Sequence, residues 1–219
     1  MATLKNNLIS TFTVDNISKL VDYTADNYRR YDPGQYLYKL AMGISSESKF
    51  TEEFIELTYT TLIAWNMNQR GAKLSDYEVF KKSIFEHKET IQSLQNFRIE
   101  TLSDITHVKD VIKFLLKNLQ LVANGKPKLV TFSKTLHFFL PDLLMPIDRS
   151  YTLQFFYQNT NFQKDDDTQL KIYHEILNQF HQLATIYNFK IHLDDKWNRN
   201  IPKIIDNIII AYIQNHNND

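Results

Sequence analysis

The chain has no cysteine, and it has only four glycines and five prolines among 219 residues. Without cysteine there can be no disulfide framework, thiolate zinc site, iron–sulfur cluster or cysteine nucleophile, and the composition suits a reducing compartment such as the cytoplasm. The scarcity of glycine and proline argues against a sheet protein, which needs turn residues in quantity. Charge of one sign is also missing, since 25 basic residues offset 25 acidic ones. No global field steers the protein toward polyanions, so any such site has to be a local patch. Long apolar runs are absent as well. The longest strictly apolar run, Ile208 to Ile213, is about a third of a bilayer span, and the N-terminus MATLKNNLISTFTVD lacks a continuous apolar leader core. The sequence therefore predicts a soluble, unprocessed protein.

What is present is a 43% hydrophobic chain with helical periodicity. Val108, Val111, Ile112, Leu115, Leu119 and Val122 share one stripe, with Ser103 or Asp104 as cap and Asn124-Gly125 as a left-handed stop. Leu170, Tyr173, Ile176, Leu177, Phe180, Leu183, Ala184 and Tyr187 repeat the spacing behind the acidic run Asp165-Asp166-Asp167, which complements a helix N-terminus. Residues 50–69 and 201–214 predict two more helices, with their polar remainders facing water. Shorter helices are expected at 14–30, 35–43, 76–95, 129–140 and 149–158. Asp32-Pro33-Gly34, Arg70-Gly71-Ala72 and Asn124-Gly125-Lys126-Pro127 read as turns, and Tyr187 to Leu193 as a short strand or a loop. The expected fold is a compact, all-α, multi-helix globular unit. It could comprise two interlocked helical subdomains, about 45–125 and 126–219 plus the N-terminal helices, with a cleft between them.

Motifs for several chemistries are missing. The seven histidines are scattered, with no HExxH, so no metal is expected. Four isolated glycines cannot form a phosphate-cradling nucleotide loop, and no GxSxG elbow occurs. No cofactor is predicted.

Local charge is less even than the total. Residues 70–134 hold 12 basic against 7 acidic residues, while 164–219 hold 6 against 8. In the basic middle, NGKPKLVTFSKT places Lys126, Lys128 and Lys134 near one helix-to-helix corner. That corner could meet phosphate, or it could simply be a solvated lysine-rich turn.

Residues 134–151, KTLHFFLPDLLMPIDRSY, end an apolar run on Asp148-Arg149. Asp148 reads either as a carboxylate at the mouth of a pocket or as the N-cap of the helix RSYTLQFFY, and one residue could do both. From Leu62 to Tyr151, about ninety residues, the order of segments resembles the helix-hairpin-helix DNA glycosylases of the endonuclease III and 8-oxoguanine glycosylase type. LIAWNMNQRGAKLSDYEVFKKSI resembles the early helix and turn that place a polar residue near the flipped base. GKPKLVTFSKTLHFFLPDLLMPIDRSY resembles the hairpin, the next helix and the segment carrying the catalytic aspartate. WN, SKTLHFFLPDLLMPIDRSYT and PKIIDN are also similar to an uncharacterised family of small prokaryotic proteins.

The glycosylase resemblance implies an orthogonal helical arrangement, double-stranded DNA as partner and N-glycosylase chemistry on a damaged or modified base. Asp148 would be the essential carboxylate and Lys134 a possible Schiff-base nucleophile. Trp65, Asn66, His137, Arg149 and Tyr151 would form the pocket wall, and Lys126 and Lys128 would contact phosphate. The bland readings stand beside these. Lys134 and the asparagines could be exposed, His137 a hydrogen-bonded core histidine, and the aromatic-rich surface around YRRYDPGQYLYKL a docking face of a non-catalytic interaction module.

Overall fold

The computed structural model describes residues 3–27, 31–68 and 73–216. The predicted turn at Arg70-Gly71-Ala72 and the ends of the helices predicted at 14–30 and 50–69 lie outside the described residues. Those residues form α1 (Leu8–Thr11), α2 (Val14–Asp26), α3 (Pro33–Met42), α4 (Glu52–Ala64), α5 (Tyr77–Glu86), α6 (Lys88–Gln92), α7 (Ile105–Asn118), α8 (Leu129–Phe139), α9 (Gln154–Tyr157), α10 (Asp166–Ile186) and α11 (Ile201–His216). Single turns of 3-10 helix occupy Ser46–Ser48, Ile99–Thr101 and Phe189–His192, and a π-helical turn occupies Arg149–Leu153. The fold is all-α, and no described helix is long and apolar enough to cross a membrane.

The sequence states most of the helix starts. Asp104 accepts from the amides of Thr106 and His107, Thr51 from Phe54, Asp165 from Thr168, and Asp32 from Gln35 with Pro33 at the first helical position. The ends differ more. α7 stops at Asn118 rather than running to 122, because Leu119 turns extended and the following residues pair with 73–75. Leu74 and Val122 form an antiparallel bridge, flanked by Ser75 N–H to Leu121 O at 3.2 Å and Ala123 N–H to Lys73 O at 2.9 Å. Gly125 does adopt a left-handed φ of 72°, but in the turn before α8. The helix predicted at 76–95 divides at His87, and the stretch 187–193, expected as a short strand or a loop, holds a 3-10 turn at Phe189–His192.

α8 organises the core. Ten of its eleven residues are buried, as in a helix surrounded on all sides, and it packs on α4 and α10. α11 packs on α2 and α10, with its first nine residues buried. The expectation that the polar remainder of the 201–214 helix faces water fails here. Lys203, Asp206 and Asn207 are all inside, because neighbouring side chains supply partners in place of solvent.

Candidate active site

The 140–147 loop brings the two ends of the KTLHFFLPDLLMPIDRSY segment together. His137 Nδ1 lies 2.6 Å from the Leu144 carbonyl, and Ile147 N–H donates to Ser133 Oγ at 3.0 Å. These bonds lay the loop back along α8 and bring Asp148 to Lys134, with Nζ–Oδ2 at 2.8 Å. The Lys134 ammonium also sits 5.5 Å from the Trp65 ring centre at the C-terminal end of α4. Three of the predicted residues thus converge. Lys134 is not the exposed lysine of the bland reading: its side chain is 8% accessible against 28% for Asp148. The carboxylate is the open member of the pair.

Asp148 also caps its own helical turn, as the N-cap reading of that residue expected. Its Oδ1 accepts from Ser150 N–H at 2.8 Å, and its carbonyl accepts from Leu153 N–H at 2.9 Å, the i to i+5 bond of a π-turn. Burial pushes the carboxyl upward. The Lys134 charge and hydrogen bond, together with the Ser150 and Tyr151 amides, outweigh that effect and hold Asp148 below the usual carboxylate range.

A second lysine–aspartate pair lies behind the first. Asp148 N–H donates to Thr152 Oγ1 at 2.9 Å, and the Thr152 hydroxyl reaches Asp206 Oδ1 at 3.4 Å. Asp206 Oδ2 accepts from Lys203 Nζ at 2.6 Å, and that ammonium lies 4.2 Å from the Trp197 ring centre. Burial raises the Asp206 carboxyl, Asp148 adds to the rise, and the two lysines offset only part of it.

The other predicted residues are dispersed. His137 is fully buried, with its neutral ring in a directional chain: Nδ1–H to Leu144 O, Tyr38 O–H to Nε2 at 2.9 Å, and Asn200 Nδ2 to the Tyr38 oxygen at 3.0 Å. Burial lowers its pKa to about 3. Asn66 is exposed at a left-handed φ of 60° and closes α4 by a Schellman motif, with Asn66 N–H to Ile63 O and Met67 N–H to Leu62 O, both at 2.9 Å. Lys128 is occupied by Asp166 at 3.0 Å and by the Leu116 carbonyl at 3.3 Å.

Two clefts are lined in part by residues that follow Asp148 in the chain, and Asp148 itself lines neither of them. One of about 400 Å³ is lined by Arg149 together with Lys126, Met67, Val130, Phe162 and Lys164. The Arg149 guanidinium is tethered to Thr160 O at 2.7 Å and to the Asn161 side chain. The other, of about 620 Å³, is lined by Tyr151 with Tyr23, Asp32, Trp197 and Asn207.

Sequence reasoning missed Thr152, Trp197, Lys203, Asp206 and Asn207 as members of this region. The only available signal was PKIIDN, where lysine and aspartate at i, i+3 lie among isoleucines. No known protein family, curated protein or solved structure matches the chain.

Proposed function

We propose that the protein binds duplex DNA and acts as a base-excision-type N-glycosylase on a damaged or modified base, with Asp148 as its essential carboxylate. The observation that supports this reading is the convergence of Lys134, Asp148 and Trp65, named from the sequence resemblance, within 5.5 Å of the Lys134 ammonium. A carboxylate held below its usual range and partly open to solvent suits the stabilisation of positive charge at a sugar carbon. As the N-glycosidic bond breaks, its electron pair leaves with the base nitrogen, which takes a proton from solvent. Water then bonds to C1′ and gives a proton to Asp148. Because Lys134 lies behind Asp148, the geometry suits it as the carboxylate's partner more than as the nucleophile. Arg149 and Lys126, which line one cleft, would be the residues that meet backbone phosphates. Lys128 is held by Asp166 and is the weaker candidate.

The test is an excision assay over a panel of lesion-bearing duplexes. The wild type is expected to release at least one base, and Asp148→Asn to slow release by about 10²–10⁴-fold. Binding to duplex should weaken steeply with salt. Borohydride trapping of a protein–DNA adduct that Lys134→Gln abolishes would reassign Lys134 as the nucleophile. If no lesion is processed and no salt-dependent binding occurs, the helical interaction module gains. Its supporting observation is the exposed apolar surface of Tyr31, Tyr36 and Leu40 on and beside α3.

A further inference from the structure

The 400 Å³ cleft carries positive charge that the protein does not neutralise. Lys126, Arg149 and Lys164 line it, and no acidic residue does among those described. The acids nearest in sequence are committed elsewhere: Asp148 to Lys134, Asp166 to Lys128, and Asp165 to the Thr168 amide. The two anchored cations are held by neutral acceptors. The Arg149 guanidinium donates to Thr160 O at 2.7 Å and to the Asn161 side chain, both on lining residues, and the Lys164 ammonium reaches Gly125 O, next to Lys126, at 3.3 Å. A neutral acceptor fixes where a cation sits without cancelling its charge.

The same bonds build a wall. Residues 160–164 have no regular secondary structure, yet they are stapled at both ends. Arg149 grips the first two. At the other end the buried Gln169 donates to the Lys164 carbonyl at 2.5 Å, while its oxygen accepts from the Lys128 and Leu129 amides at 2.7 and 2.8 Å. Between the staples Phe162 packs edge-on against Tyr157, with ring centres 5.2 Å apart. Most of the remaining lining is aliphatic, from Met67, Leu129, Val130 and Leu153. The hollow is therefore held open by fixed bonds, and its volume falls in the range of about 300–1,000 Å³ usual for small-molecule sites.

Its two halves ask for different things. An aliphatic interior offers a bare inorganic anion nothing in exchange for its water, and a neutral apolar molecule leaves the cations unanswered. A molecule that is apolar at one end and anionic at the other meets both.

We propose that this cleft binds a small amphipathic anion, an aliphatic body with a carboxylate or phosphate head, the body lying against Val130, Leu153 and Phe162 and the head on the Arg149 guanidinium. The inference goes beyond the excision reading and does not depend on it, because it involves neither DNA nor the breaking of a bond.

The test is ligand-observed NMR titration of the full chain with octanoate, octyl phosphate, octanol and acetate. At least one of the two octyl anions is expected to bind about tenfold or more tightly than octanol, which lacks the charge, and than acetate, which lacks the body; about tenfold is the value of one charge-assisted hydrogen bond. Tighter octyl phosphate would assign a phosphate head and tighter octanoate a carboxylate, and either keeps the proposal. Arg149→Gln should weaken the anion about tenfold and leave octanol unchanged, with a thermal melt to confirm folding. If Arg149→Gln does not fold, Lys126→Glu decides in its place, since reversing a charge on the same cleft should weaken the anion and spare octanol. Octanol or acetate binding as tightly as the octyl anions, anion binding indifferent to the folded charge variant, or no binding at millimolar ligand overturns the proposal. Absence of excision activity has no bearing on any of these outcomes.

Discussion

Lys134–Asp148 and Lys203–Asp206 are made of the same two side chains at nearly the same separation, 2.8 and 2.6 Å, yet their carboxyl groups shift in opposite directions. The Lys203–Asp206 pair is sealed, with side chains 5% and 3% accessible. There desolvation dominates, and the charge of Asp148 nearby adds to it. The Lys134–Asp148 pair keeps an open edge, and its carboxylate gains two backbone amides from the π-turn that follows. An ion pair alone does not fix the ionisation of an acid. The amides and the remaining water around it decide.

The largest way to break this comparison is to remove a lysine from each pair. Lys203→Met leaves Asp206 buried without its cation and is expected to cost about 3–5 kcal/mol in denaturant unfolding, much of which Lys203→Met with Asp206→Leu should recover. Lys134→Met should cost less, about 1–3 kcal/mol, because Asp148 keeps its amides and some water. Equal losses would show that the two environments do not differ.

The pH dependence sharpens the same contrast. A folded-state value below the ordinary 3.8 means that Asp148 contributes stability above that pH and loses it as the pH falls through its folded value. Asp206 is raised, so its contribution is present in acid and is lost as the pH rises from 3.8 through its folded value. Asp148→Asn and Asp206→Asn should therefore remove slopes of opposite sign from a plot of unfolding free energy against pH. Slopes of one sign would refute the assignment.

The third test reaches the open pair through its aromatic neighbour. A Cβ on Gly34 would lie 2.6 Å from Trp65 Cδ1 and 2.7 Å from Nε1. Gly34→Ala must displace the indole that lies over Lys134, and it should cost about 1–3 kcal/mol with a changed tryptophan emission. The smallest effect is expected at Asn66. Asn66→Ala at the left-handed position should cost about 1 kcal/mol, and Asn66→Gly close to nothing, by thermal melt.

Much of this architecture could be read from residue order. The stripes of α7 and α10 and the caps at Asp104 and Asp165 are local signals, so periodicity and capping chemistry suffice to find them. The end of α7 was not legible, since it depends on pairing of 119–123 with residues more than forty positions earlier. At the candidate site, Lys134 and Asp148 could be singled out because both sit in one unusual segment. Their contact depends on Ser133 and His137 tethering the loop, which no spacing rule states. Lys203 and Asp206 were missed for a physical reason: at i, i+3 on a helix, a lysine and an aspartate look like any solvated pair until tertiary packing covers them. The backbone role of Asn66, closing α4 at a left-handed position, was not read from the sequence, where the residue was considered only for its side chain.

The loop at 140–147 has a consequence for the order of assembly. Lys134 and Asp148 are joined by a short excursion of chain that is fastened to the helix it leaves, and closing so small a ring loses little freedom. Their encounter can form while the C-terminal helix is still unsettled, whereas the lining from Trp197 and Asn207 must wait for that helix to dock. The charged centre would then be ready before the walls around it, and late-docking residues would be where variation reshapes what the cleft admits without disturbing what lies beneath.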